Sequence, residues 1–87
     1  MAQLGPYVSI IVETYYQPPM SGYRGGIRVR PIAGQEFPAT MNVECPRAFR
    51  EEHPIGTQFR MRVRLTDRDG RGDFLMADFK QRYEVIG

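Results

Sequence analysis

The feature that most restricts the fold is a strict alternation of apolar and polar residues from Phe59 to Thr66. Because successive side chains of a β-strand point to opposite faces of the sheet, this alternation predicts a strand with one apolar face and one arginine-bearing face. The polar sequence DRDGRGD and the apolar run FLMA follow it directly. Residues 54–78 are therefore predicted to form two strands joined by a tight connection. The predicted core side chains of the first strand are Phe59, Met61, Val63 and Leu65.

The remaining segments favour a β-rich domain with a single short helix. Strands are predicted at residues 7–16, 27–32, 39–45 and 83–86, and the helix at residues 46–53. A chain of 87 residues is long enough for one small domain, so residues 1–87 are predicted to fold as one unit. The fold class is mainly β, as a barrel of five to six strands or a strongly curved antiparallel sheet. The helix between the third and fourth strands resembles the order of an OB-fold, with an SH3-like barrel as the alternative.

The predicted helix begins at Pro46, because proline is favoured in the first helical turn. Two turns are too short to be stable without packing, so Phe49 and Ala48 are expected to pack on the sheet. Arg50, Glu51 and His53 are expected to be solvated.

The positive charge is concentrated in one part of the chain. The net charge of the whole sequence is only +2, but residues 46–66 contain five arginines and two glutamates. Arginine presents a planar fork of donors that suits phosphate or carboxylate groups, and it also stacks on aromatic rings. On a strand, side chains two residues apart lie roughly 6.5–7 Å apart, which is comparable with the phosphate spacing of an extended nucleic-acid strand.

These patterns predict a non-enzymatic module that binds single-stranded nucleic acid through an arginine-lined sheet face. The connection at residues 17–26 adds glycines and a tyrosine, and single-strand binders combine aromatic platforms with a basic groove. The candidate nucleic-acid-binding residues are Arg24, Arg28, Arg30, Arg60, Arg62, Arg64, Tyr15 and Tyr23.

Two alternatives remain open at this point. The arginines could be a solvated face that is neutralised by Glu13, Glu44 and Glu84 on neighbouring strands, which is a common device in sheets. The chain could also be a protein-interaction or self-assembly module that associates with a protein partner or with itself. The arginines would then contact acidic groups of the partner.

Other classes of site find little support in the sequence. Cys45 is the single cysteine, which excludes an internal disulfide and favours a reducing cytoplasm. With His53 as the single histidine, no nucleophile–base constellation is expected, so neither catalysis nor a cofactor is predicted. The acids of residues 67–73 do not match the spacing of an EF-hand loop, so no metal is predicted. No membrane span is expected, because the longest N-terminal apolar run is three residues, at 10–12.

One local pattern points to nucleic acid independently. Val43, Pro46, Arg50 and Glu51, followed by the sequence IGTQF at residues 55–59, resemble the looped-hinge DNA-binding motif of AbrB/MazE-type regulators. That motif runs through a strand, a proline, a short helix with an arginine, a glycine turn and a second strand. The resemblance covers about twenty residues, and it implies a contact with DNA.

Overall fold

The computed structural model describes residues 2–3, 5–22, 24–67, 73–78, 80–81 and 83–87, without the side chains of residues 2, 3, 48 and 67. The elements are β1 (Ala2–Gln3), β2 (Val8–Gln17), β3 (Gly26–Pro31), β4 (Val43–Glu44), α1 (Arg47–Glu51), β5 (Gln58–Asp67), β6 (Asp73–Ala77) and β7 (Glu84–Val85). The strand that was predicted from the alternation is β5, one of the two longest strands described.

β5 lies at the centre of the sheet and is paired along both of its edges. On one edge, β2 pairs with it antiparallel from Val8 opposite Val63 to Glu13 opposite Gln58, and β1 continues that edge. On the other edge, β6 pairs antiparallel with the second half of β5, and β7 pairs with its first half. The alternating segment is therefore the strand that organises the sheet.

The sheet order is β3-β2-β5-β6-β4, with β4 parallel to β6. β3 and β4 are the two end strands of this order. They lie close to each other, although no strand pairing joins them in the described part of the chain. The sheet is thus nearly closed into a barrel, and α1 lies between the third and fourth of its five main strands. This confirms the predicted mainly β class and the OB-like order of elements.

The core lies on the apolar face of β5. Val12, Val29, Phe59 and Leu75 are fully buried, and each comes from a different strand. Phe49 of α1 packs on this core, with its ring centroid 4.4 Å from that of Phe59. Helix packing through Phe49 is therefore confirmed, and Ala48 lies outside the described side chains.

Three of the four predicted core residues of β5 are buried, namely Phe59, Met61 and Val63. Leu65 is only half-buried and packs against the edge of the core, so its prediction holds in part. At the next position Thr66 is buried, so the burial pattern of β5 changes near its end.

Two predicted elements are shorter in the structure. The strand expected at residues 39–45 is reduced to β4, because Pro38 begins a turn in which the Met41 N–H donates to the Pro38 carbonyl at 3.1 Å. The helix expected at residues 46–53 is limited to α1. The expectation of solvated Arg50 and His53 is wrong, since both are half-buried, whereas Glu51 is exposed.

Two glutamine side chains complete the sheet where strands end. At the end of β3, the Gln35 amide accepts from the Ile11 N–H at 2.8 Å and donates to the Ile11 carbonyl at 2.7 Å. Between β6 and β7, the Gln81 amide accepts from the Arg62 N–H at 2.6 Å and donates to the Arg62 carbonyl at 2.7 Å. Each amide replaces a missing strand partner, so the backbone polar groups stay satisfied.

Candidate nucleic-acid interface

The three arginines of β5 that were predicted to bind nucleic acid already have partners within the protein. Arg60 Nε lies 3.7 Å from Glu84 Oε1, and Arg62 Nη2 lies 2.8 Å from Asp78 Oδ2. Arg64 Nε donates to the Gly5 carbonyl at 2.9 Å. These three side chains, hereafter the β5 arginines, are thus compensated by neighbouring groups.

The arginines of β3 are separated from the β5 arginines by β2. Arg30 lies opposite Glu13 of β2 and donates from Nε to its carboxylate at 2.9 Å. Asn42 donates to Glu44 at 3.0 Å. The sheet face therefore alternates positive and negative side chains, as the neutralised alternative predicts, instead of forming one continuous arginine patch.

A different group of arginines converges at the seam between β3 and α1. A groove of about 360 Å³ is lined by the loop before β3, the start of β3 and one side of α1. We call it the arginine groove, and its charged lining residues are Arg24, Arg28, Arg47, Arg50 and Glu51. Four arginines and a single acidic residue therefore line the groove.

That carboxylate only weakly compensates the groove. Glu51 accepts from Arg47 Nε at 3.0 Å, but the two side chains are 48% and 78% exposed, and exposed pairs of this spacing contribute only about 0.3–0.5 kcal/mol. Arg50 Nε is buried and donates to no acceptor among the described residues. Arg24 is exposed and forms no ion pair within the part of the chain that the structure describes. The groove is therefore lined by more arginines than acidic residues.

A glycine brings the loop into position beside the groove. Gly25 has φ 76°, and an added Cβ would lie 2.7 Å from the Pro19 nitrogen and 2.9 Å from the Gln17 carbonyl oxygen. Only a residue without a side chain allows this close approach and this left-handed conformation. Gly25 thus fixes the path of the backbone immediately after Arg24.

A second hollow adjoins the groove on the outer face of the sheet. It has a volume of about 200 Å³ and is lined by Tyr15, Gln17, Met20, Arg28 and Asn42; we call it the Tyr15 hollow. Arg30 Cζ lies 4.3 Å from the centroid of the Tyr15 ring, within the range of a cation–π contact. Tyr23, the other predicted stacking residue, lies outside the described residues.

The single cysteine is a buried thiol rather than a reactive one. Burial raises the pKa of Cys45 to about 12, Arg50 opposes this rise, and Glu44 adds to it. Because the thiolate is the nucleophilic form, Cys45 is unreactive near neutral pH. His53 packs edge-on against Phe59, with ring centroids 5.0 Å apart.

The sequence predictions included two members of the arginine groove, Arg24 and Arg28, and missed Arg47 and Arg50. The signal that could have revealed them is their spacing of three residues on the predicted helix, which places both on one helical face. The sequence interpretation attributed the positive charge of residues 46–66 to the arginines of β5 and did not consider Arg47 and Arg50 as a separate group. The groove also combines distant segments, and a single sequence does not show which distant segments meet.

No protein-family model, no curated protein and no solved structure matches this chain. The resemblance to looped-hinge DNA-binding regulators therefore stays a prediction. The one described helix, α1, has five residues, so no helix in the described ranges could span a membrane. No group of three or more histidine, cysteine or acidic side chains suited to a metal ion occurs among the described residues. Residues 68–72 of the acidic turn lie outside them.

Proposed function

We propose that this protein is a non-enzymatic module that binds the phosphate backbone of single-stranded nucleic acid in the arginine groove. The observation that carries the proposal is the convergence of four arginines on one groove with a single, weakly paired carboxylate. Phosphate contacts supply most of the sequence-independent affinity of nucleic-acid-binding proteins, and arginine suits them through its planar fork.

The position of the groove in the fold supports the same proposal. OB-like barrels bind oligonucleotides on the face of their second and third strands and with the loop that joins the first two strands. Here the groove is lined by that loop and by β3, the second main strand. A similar architecture does not by itself imply the same function, so the proposed function depends on the arginines themselves.

The β5 arginines have a secondary place in this proposal. Their carboxylate and carbonyl partners would have to be displaced before a phosphate could bind them in full. We expect them to extend the electrostatic attraction along the outer face of the sheet, with the first phosphates held in the arginine groove.

Charge reversal at the groove tests the proposal. We expect Arg47→Glu to weaken the binding of a fluorescently labelled oligothymidylate by at least about tenfold, which corresponds to about 1.4 kcal/mol, because it replaces an attraction to phosphate with a repulsion. Fluorescence anisotropy at low salt measures the affinity. Circular dichroism verifies that the variant folds, since the new glutamate lies one helical turn from Glu51.

Arg60→Glu is the matched control. Like Arg47→Glu, it removes one exposed ion pair and places a new glutamate beside an existing one, here Glu84. Its effect on affinity is expected to be smaller than that of Arg47→Glu. Equal effects would contradict a binding surface centred on the arginine groove, a larger effect of Arg60→Glu would place that surface on β5, and an unmodified protein without affinity for the oligonucleotide would exclude the proposed function.

A protein partner is the second candidate function. Several large apolar side chains are exposed, including Tyr16 at 53%, Ile55 at 55% and Val85 at 53%, and such side chains are available for contacts with another chain or a second copy. In that case an acidic peptide would bind in the arginine groove. Competition between an acidic peptide and the oligonucleotide distinguishes the two functions.

A cytoplasmic location belongs to the same proposal. Cys45 is free and buried, which suits a reducing compartment where nucleic acid is also present.

A further inference from the structure

The Tyr15 hollow adjoins the arginine groove, because Arg28 lines both. Its volume of about 200 Å³ is below the roughly 300–1,000 Å³ that is usual for pockets of drug-sized ligands. A hollow of this size suits one planar ring system better than a whole nucleotide. The larger groove beside it is lined by four arginines, whereas Arg28 is the only arginine among the residues that line the Tyr15 hollow.

The Tyr15 ring is held in place on one side. On β2 it lies opposite Arg28 of β3, and the guanidinium of Arg30 is 4.3 Å from its centroid. The Arg30 guanidinium therefore contacts one part of the Tyr15 ring. The Tyr15 side chain also lines the hollow and is only half-buried. A positioned ring loses little entropy when a second planar group stacks on it.

Besides Arg28 and Tyr15, the polar side chains that line the hollow are the amides of Gln17 and Asn42. Gln17 Nε2 donates to Met20 Sδ at 3.3 Å, and thioether sulfur is a weak acceptor. Asn42 Nδ2 donates to Glu44 Oε1 at 3.0 Å, and no described group donates to the side-chain oxygen of Asn42. Both side chains carry donors and acceptors, and so do the edges of nucleobases.

We propose that the Tyr15 hollow receives one nucleobase of the strand whose phosphate lies in the arginine groove. The base stacks on Tyr15, with Met20 as an apolar wall and the amides of Gln17 and Asn42 facing its edge. This inference depends on the proposed function, since the phosphate in the groove brings the base to the hollow. It adds a contact that depends on the base rather than on charge.

The experiment compares two probes of equal length and charge, an oligothymidylate and an abasic phosphodiester oligomer, by fluorescence anisotropy at low salt. Stacking of a base on an aromatic side chain corresponds to roughly 5- to 150-fold in affinity. We therefore expect the unmodified protein to bind the oligothymidylate about tenfold more tightly than the abasic oligomer. Tyr15→Ala removes this preference and leaves the affinity for the abasic oligomer unchanged.

Two further variants complete the test. Tyr15→Phe retains an aromatic ring and is expected to keep the preference, whereas Tyr16→Ala, at the neighbouring exposed position on the opposite face of β2, is expected not to alter it. Equal binding of both probes by the unmodified protein would overturn the base site but leave the arginine groove in place. Loss of the preference in Tyr16→Ala to the same extent as in Tyr15→Ala would also overturn it. An absence of binding to either probe would refute the proposed function and this inference together.

Discussion

At the residue scale, Gly25 has the tightest backbone environment of the described glycines. Its φ of 76° lies in the left-handed region, and an added Cβ would be within 3 Å of the backbone of both Gln17 and Pro19. Gly22 has a similar φ of 72°, but an added Cβ there would meet nothing within 4 Å. Substitutions at these two glycines therefore distinguish the free-energy cost of an unusual backbone conformation from the additional cost of a steric clash.

Gly25→Ala is expected to destabilise the protein more than Gly22→Ala. A left-handed conformation costs a residue with a side chain about 1–2 kcal/mol, and Gly22→Ala should cost no more than this. Gly25→Ala incurs the same cost and must also displace the backbone that passes Pro19. Urea unfolding measures both variants, and equal midpoints would contradict the packing assigned to the loop. Because the displaced loop carries Arg24, Gly25→Ala should also weaken oligonucleotide binding.

Single residues also show what could be predicted from the sequence. The burial of Phe59, Met61 and Val63 follows from a local pattern, since alternation directly reports which side of a strand faces the core. The sequence indicated Glu84 as one possible partner of the arginines, but not which arginine it pairs with, and it did not indicate Asp78 as the partner of Arg62. Glu84 and Asp78 approach them because β6 and β7 pair with β5, and that pairing depends on the whole sheet.

At the scale of elements, the ends of strands depend on side chains as much as on backbone pairing. β3 ends at Pro31, which has no N–H to donate, and the Gln35 amide then takes both backbone groups of Ile11. The same device occurs at Gln81, between β6 and β7. A single sequence does not predict these closures, because an exposed-looking glutamine in a loop has no local signature of a distant strand partner.

Gln35→Glu tests the role of this closure. The substitution keeps the shape of the side chain but replaces the donor that faces the Ile11 and Ile32 carbonyls with a second acceptor. We expect it to lower the free energy of unfolding by about 1–3 kcal/mol at neutral pH, because the partly buried Ile11 and Ile32 carbonyls lose this donor and face a negatively charged oxygen instead. The Ile11 carbonyl still accepts from the Ile32 N–H at 3.1 Å. Urea denaturation provides the measurement.

Gln17→Glu is the control for Gln35→Glu, since the Gln17 amide donates only to a thioether sulfur and is expected to alter stability by less than about 0.5 kcal/mol. Equal free energies of unfolding for the two variants would show that the hydrogen bonds of the Gln35 amide do not stabilise the fold. The control also keeps the change in charge the same in both proteins.

The lengths of the strands also show which parts of the fold could be predicted from the sequence. The long strands β2 and β5 were predictable because strand-like patterns extend over most of the ten residues of each. β4 was predicted too long, because residues 39–42 have a strand-like composition but lie between a turn at Pro38 and the short parallel pairing with β6. Turns and pairing partners, rather than propensity, set its length.

At the scale of the whole molecule, the small net charge conceals an uneven distribution. The outer face of the sheet is close to neutral, because its arginines alternate with carboxylates. Four arginines with one acidic residue line the seam between β3 and α1, and no strand pairing joins β3 to β4 in the described part of the chain. The alternation of β5 correctly predicted the core, whereas the groove arises from three segments that only the fold brings together.

Salt dependence tests this distribution most directly. For single strands, the logarithm of the binding constant falls with the logarithm of the salt concentration by about 0.7 per phosphate contacted. With two to three phosphates in the arginine groove, we expect a slope of about −1.4 to −2.1 for an oligothymidylate. Arg24→Gln and Arg47→Gln should each reduce its magnitude by about 0.7, while Arg60→Gln should reduce it by less. A slope that is insensitive to the groove variants but reduced by Arg60→Gln would contradict the account.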